Sequence, residues 1–471
     1  MNSSAAGSDQ LHKSLKRRHL SMIALGGVIG AGLFVGSSVV LHEAGPAAFF
    51  SYAITGLLVV LVMRMLGEMA ASDPSTGSFT GYAGTAFGPC ARFTTGWIYW
   101  YSWVVGAGSE AVVGGKLLQR WVPLPSWIMA AALLVVMLAV NLRSVRNFGE
   151  FEYWFASIKV AVILVFLVMG VTFVLGLWPS QHGGPDISNL YAHGGFAPHG
   201  YAAVLPGVLV GFYSMVGSEV ATIAAAESSE PVKSITRATN SVVARIVLFY
   251  LGSLIVLAAV VPWTSVEPGK SPFVEMLTVM GVPYGADVMN VVVLVAVLSC
   301  MNAGLYTSSR MVFALARFGD APQSLVRTNR GGVPRNAVLL AGAVVIACIV
   351  LDYVSPDTVF AFLVNASGAT FLLVYLIIAG SQIRLRMKMS REQTERLPVR
   401  MWLFPWLSIL ACAGMFAVLI AMFVMAPTRP QALATTGVVA GVLGTYLVHR
   451  RLAGAQKPPS VQAENRSDLI S

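Results

Sequence analysis

The sequence predicts an all-α membrane protein with about twelve transmembrane helices. Of the 471 residues, 56% are hydrophobic and only 11% are charged, and the mean hydropathy is +0.72. A soluble domain carries roughly 25% charged residues, so most of this chain cannot face water. A helix needs about 20 consecutive apolar residues to cross a bilayer, and apolar runs of about this length follow one another along the chain.

Each predicted helix is an apolar run bounded by charged residues, by proline or by a polar cluster. The first five runs lie at 20–42, 46–71, 94–118, 124–141 and 151–178. The next five lie at 201–227, 240–262, 284–316, 335–353 and 357–380, and the last two at 403–426 and 431–449. Residues 1–19 and 451–471 are polar and are predicted to be tails.

The distribution of basic residues predicts the orientation of these helices. If the N-terminus is cytoplasmic, 24 Lys and Arg residues fall in inside segments and only four in outside segments. Cytoplasmic loops carry such an excess of Lys and Arg, and an even helix count places both tails on that side. We therefore expect both termini to be cytoplasmic. The net charge of +10 lies in these short loops and tails, which argues against a nucleic-acid partner.

The first predicted helix contains an unusual concentration of glycine. Four glycines fall within residues 26–32, and each weakens a helix by roughly 1 kcal/mol relative to alanine. One interpretation is close helix packing through Gly26-xxx-Gly30, a small-xxx-small motif. The other is an interruption of the helix around Gly30, Ala31 and Gly32.

The sixth predicted helix favours the second interpretation, because it contains Gly207, Gly211 and Gly217, the last followed by Ser218 and Glu219. At 1.5 Å per residue, Gly30 and Gly211 each lie about 15 Å from opposite membrane faces. Two interruptions at mid-membrane, five helices apart and opposite in direction, indicate inverted repeats with a binding site between them. We expect the repeats at 20–178 and 201–380, with two further helices within 401–450.

An interrupted helix exposes unpaired backbone groups, which the membrane tolerates only where they line a cavity or bind a ligand. Free N–H groups at a helix start suit a carboxylate, and free C=O groups suit an ammonium. A zwitterion satisfies both sets. The sequence therefore predicts a small amino acid as substrate.

Ionisable residues inside predicted helices need an explanation, because each costs at least about 2.5–3.5 kcal/mol at the bilayer centre. Lys159 lies about 12 Å into the fifth helix, where it either extends to the cytoplasmic surface or carries a coupling proton. Glu110 either lines the substrate path or pairs with a neighbouring donor. Glu219 either satisfies the free N–H groups of the sixth helix or relays a proton.

Two further polar features have structural alternatives. Asn302 on the eighth helix either faces the cavity or packs between helices. Arg64 and Glu68 lie four residues apart on the second helix and predict an ion pair near its inner end.

A series of motifs resembles a known family. They are Val28-Ile-Gly-Ala-Gly-Leu-Phe-Val-Gly36, Glu43-Ala-Gly-Pro46, Arg64-Met-Leu-Gly-Glu-Met-Ala70, Thr76-Gly-Ser-Phe79, Gly149-Glu-Phe-Glu152, Gly217-Ser-Glu219, Ala224-Ala-Ala-Glu-Ser228, Arg237-Ala-Thr-Asn240, Ser308-Ser-Arg-Met311 and Gly319-Asp-Ala-Pro322. The chain is similar over roughly residues 13–450 to the amino acid transporters of the amino acid–polyamine–organocation superfamily. Within that family it looks most like bacterial permeases for 4-aminobutyrate (GABA), on Ala31, on Arg64-Met-Leu66 and on the segment 299–311.

This resemblance implies a leucine-transporter-like fold with five-plus-five inverted helices and two extra helices. It implies that the backbone N–H groups of Gly30, Ala31 and Gly32 bind the substrate carboxylate. It also implies that carbonyls around Tyr213, Val216 and Gly217 bind the amino group, with Phe212 or Tyr213 as an aromatic gate. Lys159 then corresponds to the lysine of proton-coupled members, so H⁺ is the coupling ion and no other cofactor is expected.

Four other classes of function remain to be weighed. An ion channel would require repeated charged or carbonyl rings. A membrane enzyme is disfavoured because no HExxH or Ser/His/Asp pattern occurs, and an ATP-driven pump because no GxxxxGK[ST] loop occurs. A non-transporting amino-acid sensor on the same fold stays open, as does a permease for another small α-amino acid. The sequence leaves the oligomeric state undetermined.

Overall fold

A computed structural model describes residues 29–73, 78–143, 145–178, 187–220, 222, 231–329, 332–356 and 358–455. Helices are the only regular elements in these ranges, and seven short 3₁₀ or π segments accompany the seventeen α-helices named below. Residues 1–19 and 456–471 of the predicted tails lie outside the described residues, as does the first glycine of the Gly26-xxx-Gly30 motif. The predicted C-terminal tail at 451–471 begins five residues too early, because the last helix continues to Ala455.

The helices of the first half are α1 (Ala31–Phe34), α2 (Gly36–Ala44), α3 (Ala48–Ser72), α4 (Phe79–Phe87), α5 (Pro89–Leu118), α6 (Ser126–Arg143) and α7 (Val145–Val174). Those of the second half are α8 (Val204–Met215), α9 (Pro231–Arg245), α10 (Ser253–Val260), α11 (Pro272–Val279), α12 (Gly285–Arg317), α13 (Arg335–Val354), α14 (Val359–Met387), α15 (Arg391–Glu395), α16 (Trp406–Val424) and α17 (Arg429–Ala455). A π-helical stretch, Ile246–Gly252, joins α9 to α10.

Ten helical segments among the described residues are long and apolar enough to cross a membrane. One of them, Ala31–Ser72, turns at Gly45, whose φ of +60° separates α2 from α3. The structure thus confirms a predominantly helical membrane protein.

The degree of burial divides the helices into a centre and a periphery. The most hydrophobic parts of Tyr201–Val220 and Val359–Met387 are 83% and 72% buried, whereas that of Ala426–Arg451 is only 11% buried. Helix α5 packs against α12, α14 and α4 around the centre, and α14 packs in addition against α8, α4 and α3. The exposed apolar surface of α6, α7 and α17 is suited to lipid, because lipid is as apolar as the side chains it contacts.

Helices α4 and α11 were not predicted as helices, and neither was the five-residue α15. Helix α4 contains four small polar or glycine positions and is capped by Ser78, whose side chain accepts a hydrogen bond from the Gly81 N–H at 3.4 Å. Helix α11 begins with Pro272 at its first position. All three have fewer than ten residues, which is too short to span a bilayer and therefore invisible to a search for long apolar runs.

The predicted ion pair between Arg64 and Glu68 is wrong. Arg64 instead donates from Nε to the Arg400 carbonyl at 2.8 Å and lies over the Trp402 ring. The buried Glu68 carboxylate pairs with Arg386 at 3.3 Å and accepts hydrogen bonds from Gln382 and the Met401 N–H. Spacing along one helix could not reveal these partners, because they come from α14 and the segment before α16.

Candidate substrate site between two interrupted helices

Within the predicted interruption at Gly30, Ala31 and Gly32, a helix begins at Ala31. Gly30 is extended, with φ −140° and ψ −156°, and the short helix α1 follows it. At Val35 the backbone leaves helical geometry again, with φ −122° and ψ −40°, before α2 begins. The N–H of Ala31 therefore stands at the first position of a helical turn.

The second interruption ends α8 at Met215. Val216 is extended, with φ −60° and ψ 148°, and Gly217 has a φ of +98°. Residues other than glycine rarely adopt such a φ, so a glycine is required here. The buried carboxylate of Glu219 accepts hydrogen bonds from the Gly217 N–H at 3.1 and 3.3 Å.

Two tyrosines complete the environment of Glu219. The Tyr99 hydroxyl donates to Oε1 at 3.0 Å, and the Tyr375 hydroxyl donates to Oε2 at 2.7 Å. These bonds tie the interruption to α5 and α14. A buried carboxylate is tolerated where its oxygens accept hydrogen bonds in this way.

The two interruptions touch each other directly. A Cβ atom added to Gly32 would lie 2.6 Å from the Cα of Ser214, so the two backbones are in contact. The Tyr52 hydroxyl bridges them, 3.3 Å from the Gly32 carbonyl and 3.2 Å from Ser214 Oγ. The Tyr250 hydroxyl donates to the Ser214 carbonyl at 2.6 Å. Side chains thus satisfy part of the backbone that the interruptions expose.

A cavity of about 30 Å³ lies beside this contact. One face of α5 forms a wall, because its lining residues recur at helical spacing. The lining consists of Gly30, Gly32, Ser102, Trp103, Gly106, Ala107, Glu110, Tyr213, Ser214, Val216, Cys300 and Phe371. A volume of this size holds about one water molecule, so an amino acid could enter only if the walls moved apart.

The carboxylate of Glu110 reaches the first interruption from α5. Both of its oxygens lie 3.2 Å from the Ala31 nitrogen, whose N–H they accept. The Tyr213 hydroxyl lies 3.1 Å from Glu110 Oε1 and 2.6 Å from Ser109 Oγ. A carboxylate from within the protein therefore binds the backbone N–H that was predicted to bind the substrate carboxylate.

The structure brings most of the predicted binding residues together but leaves three away from the cavity lining. Gly30, Gly32, Glu110, Tyr213 and Val216 line the cavity, and Ala31 contributes its N–H. Three others do not line it. The Phe212 ring packs against Tyr375, with ring centroids 5.9 Å apart, and the Gly217 N–H donates to the Glu219 carboxylate. Asn302 Oδ1 accepts a hydrogen bond from Asn141 Nδ2 at 2.7 Å. Of the two candidate aromatic gates, Tyr213 is the one that reaches the cavity.

Lys159 is fully buried and does not extend to the surface. Its Nζ donates to Ser299 Oγ on α12 at 2.8 Å and lies 4.0 Å from Glu152 Oε1. The next residue after Ser299 is Cys300, which lines the cavity. The candidate proton-carrying lysine thus bonds to the residue of α12 that directly precedes a residue of the cavity lining.

Several residues at the site were not predicted as site residues. Four of them share a helical face with Glu110, the only acidic residue of the predicted helix 94–118: Ser102, Trp103, Gly106 and Ala107. Their spacing from Glu110 could have identified them. Glu152 lies seven residues before Lys159, on the same face of α7. Phe371 and Ser299 carry no comparable signal, since apolar residues occur on every face of the helices that contain them.

A many-helix membrane protein with a cavity between two interrupted helices has the arrangement of a secondary transporter. The comparison with known families makes the class specific. The chain matches the model of the family described as amino acid permease over residues 19–453 and belongs to that family, within the amino acid–polyamine–organocation superfamily.

Three similar proteins carry GABA in their names. The chain is 46% identical over 459 residues to the gamma-aminobutyric acid permease of Bacillus subtilis (strain 168), covering 97% of each. It is 44% identical over 453 residues to the probable GABA permease of Pseudomonas aeruginosa, covering 95% of this chain and 94% of that one. It is 43% identical over 447 residues to the gamma-aminobutyric acid permease of Escherichia coli (strain K12), covering 94% and 95%.

These relatives are permeases and not enzymes, and this chain is accordingly a bacterial membrane protein of amino acid transport. The expectation drawn from the motifs and that drawn from the two glycine-rich interruptions agree with this assignment. A membrane enzyme is excluded by the same comparison.

Proposed function

We propose that the protein imports a small zwitterion, GABA or a related amino acid, together with H⁺ by alternating access. The observation that supports this most strongly is the bond between the Ala31 N–H and a carboxylate, beside a cavity formed by two interrupted helices. The identity of 43–46% to three proteins named as GABA permeases favours GABA as the substrate.

The proposed architecture has twelve transmembrane helices. Ten candidate spans become twelve when α2 and α3 count separately on either side of Gly45, and when α5, with 30 residues, is added. In this arrangement 20–178 and 201–380 form inverted five-helix repeats, and α16 and α17 are the two extra helices. Both termini lie in the cytoplasm and the protein resides in the inner membrane.

Glu110 holds the place of the substrate carboxylate in this proposal. Two ionised carboxylates cannot share the Ala31 N–H, because like charges repel strongly where little water screens them. A substrate that binds must therefore displace Glu110 or meet it protonated. The Tyr213 hydroxyl, now bonded to Glu110 and Ser109, becomes available to the substrate when Glu110 moves.

The size of the cavity requires a conformational change. Room for about one water molecule is insufficient for GABA, so the cavity must widen before GABA can bind. Opening requires the contact between Gly32 and Ser214 to separate or slide. Alternating access in carriers of this kind is largely the movement of one repeat against the other around a fixed site.

Proton coupling is assigned to Lys159, with Glu219 as a second candidate. A buried lysine can alternate between charged and neutral forms because burial penalises its charge. The geometry around Glu219, with four hydrogen bonds to its oxygens, favours its structural alternative, the capping of the sixth-helix interruption.

Replacing Lys159 with alanine tests the coupling. In proteoliposomes with an inward proton gradient, the wild type should accumulate labelled GABA, and Lys159→Ala should lose at least about tenfold of this accumulation. Exchange of labelled for unlabelled GABA across the same membrane should persist, because it requires no net proton transfer. Lys270→Ala is the matched control, since the Lys270 side chain is 74% exposed. Normal proton-driven accumulation by Lys159→Ala would contradict the assignment.

A further inference from the structure

A buried row of three side chains joins α7 to α12. Lys159 Nζ donates to Ser299 Oγ at 2.8 Å, and Ser299 Oγ donates to Glu152 Oε1 at 2.7 Å. All three residues are fully buried. The serine hydroxyl therefore accepts from the lysine and donates to the glutamate, so the two hydrogen bonds point in the same direction.

This common direction is what proton transfer along hydrogen bonds requires. The ammonium gives a proton to the Ser299 oxygen, and the Ser299 hydroxyl gives its own proton to Glu152 Oε1. Lysine ends as a neutral amine, serine is unchanged and glutamate becomes a neutral carboxylic acid. No atom or electron enters or leaves the row.

Glu152 lies on the expected cytoplasmic side of Lys159. It precedes Lys159 by seven residues, about 10 Å along the axis of α7. Helical side chains lean towards the N-terminus of their helix, so the long Lys159 side chain extends towards Glu152. Its Nζ therefore lies only 4.0 Å from Glu152 Oε1. The row therefore leads from beside the cavity towards the side where the proton must leave.

The far oxygen of Glu152 is available for a further step. Its Oε2 is buried and has no hydrogen-bond partner among the residues that the structure describes, and the same is true of Asn302 Nδ2. The Asn302 side chain lies next to this carboxylate. Among the described residues, the ionisable groups near this row are Lys159, Glu110 and Cys300, and Cys300 directly follows Ser299.

We propose that Glu152 receives the coupling proton from Lys159 through the Ser299 hydroxyl and passes it towards the cytoplasm. This inference rests on the proposed proton symport and adds to it the residue by which the proton leaves. Once Glu152 has released this proton, Lys159 is neutral and Glu152 is again a carboxylate, whose Oε1 keeps the hydrogen bond from the Ser299 hydroxyl while the empty carrier returns.

The test compares two transport modes in proteoliposomes. Net uptake driven by a proton gradient requires the proton to leave the carrier in every cycle. Exchange of labelled for unlabelled GABA only requires the loaded carrier to reorient, so the proton can stay bound. A defect in proton release should therefore abolish the first mode and spare the second.

The variants are Glu152→Gln and Ser299→Ala. Each should keep exchange within about twofold of the wild type and lose at least about tenfold of proton-driven uptake. Ser299→Ala retains both charged partners, so it tests the row even if Glu152→Gln fails to fold. Ser299→Thr keeps the hydroxyl and should retain proton-driven uptake. Glu267→Gln is the control, because the Glu267 side chain is 65% exposed.

Two results would overturn the inference. One is proton-driven uptake at wild-type rates in both Glu152→Gln and Ser299→Ala. The other is an equal loss of both transport modes in correctly folded Ser299→Ala, which is the result expected of a purely structural ion pair. If the wild type itself shows no response to a proton gradient, the proposed symport fails instead, and the two failures are thereby distinguished.

Discussion

Replacing Gly32 with alanine should reduce GABA uptake by about 100-fold, the scale expected when groups of a binding site are displaced by about 1 Å. The added Cβ would lie 2.6 Å from the Cα of Ser214, whereas ordinary contacts begin at 3.4 Å. Because this neighbour is backbone, it cannot rotate away as a flexible side chain would. The two interruptions would have to move apart, and the cavity between them would change shape.

The matched control for this experiment is Gly441→Ala on α17. A Cβ at Gly441 meets nothing within 4 Å, so uptake and the amount of protein in the membrane should be unchanged. Uptake, equilibrium binding and membrane abundance should be measured for both variants. Wild-type uptake in Gly32→Ala would show that the contact between the two interruptions is not required for transport.

Replacing Glu110 with glutamine should abolish most net uptake without weakening substrate binding. The neutral amide can still accept from the Ala31 N–H, but hydrogen bonds to a charged group are roughly twice as strong. A substrate carboxylate should displace the amide more readily, so the apparent dissociation constant should stay equal or fall. The empty carrier, without its own anion at Ala31, should return poorly, and uptake should drop by about tenfold or more.

The sign of the change in affinity decides the role of Glu110. If this carboxylate instead binds the amino group of the substrate, Glu110→Gln should bind GABA markedly more weakly. Equilibrium binding measurements on purified protein separate the two outcomes. Glu267→Gln serves as the control, because the Glu267 side chain is 65% exposed and pairs only with the neighbouring Lys270 among the described residues.

Much of the fold could be predicted from the sequence because bilayer thickness sets the length of apolar runs. The predicted helices at 284–316 and 335–353 correspond to Gly285–Arg317 and Arg335–Val354. The interruption at Gly217 could be predicted for a different reason, since a φ of +98° is accessible mainly to glycine. Both signals are local, so one sequence was sufficient.

The contacts at the site could not be predicted because they depend on how each helix is rotated about its axis. In a soluble helix, an apolar stripe marks the buried face, but α14 and α12 have apolar residues on every face and carry no such stripe. The bond between Glu110 and Ala31 joins residues 79 positions apart, and that between Ser299 and Glu152 joins residues 147 apart. Only the packed structure brings these pairs together.

The most direct test of the account is competition for GABA exchange in proteoliposomes containing the wild-type protein. The central claim is that the site binds a molecule with a carboxylate and an ammonium at once. Unlabelled GABA should compete fully, whereas butyrate, which lacks the ammonium, and n-butylamine, which lacks the carboxylate, should fail at the same concentration. Equal competition by either single-charge analogue, or the absence of any exchange, would contradict the claim.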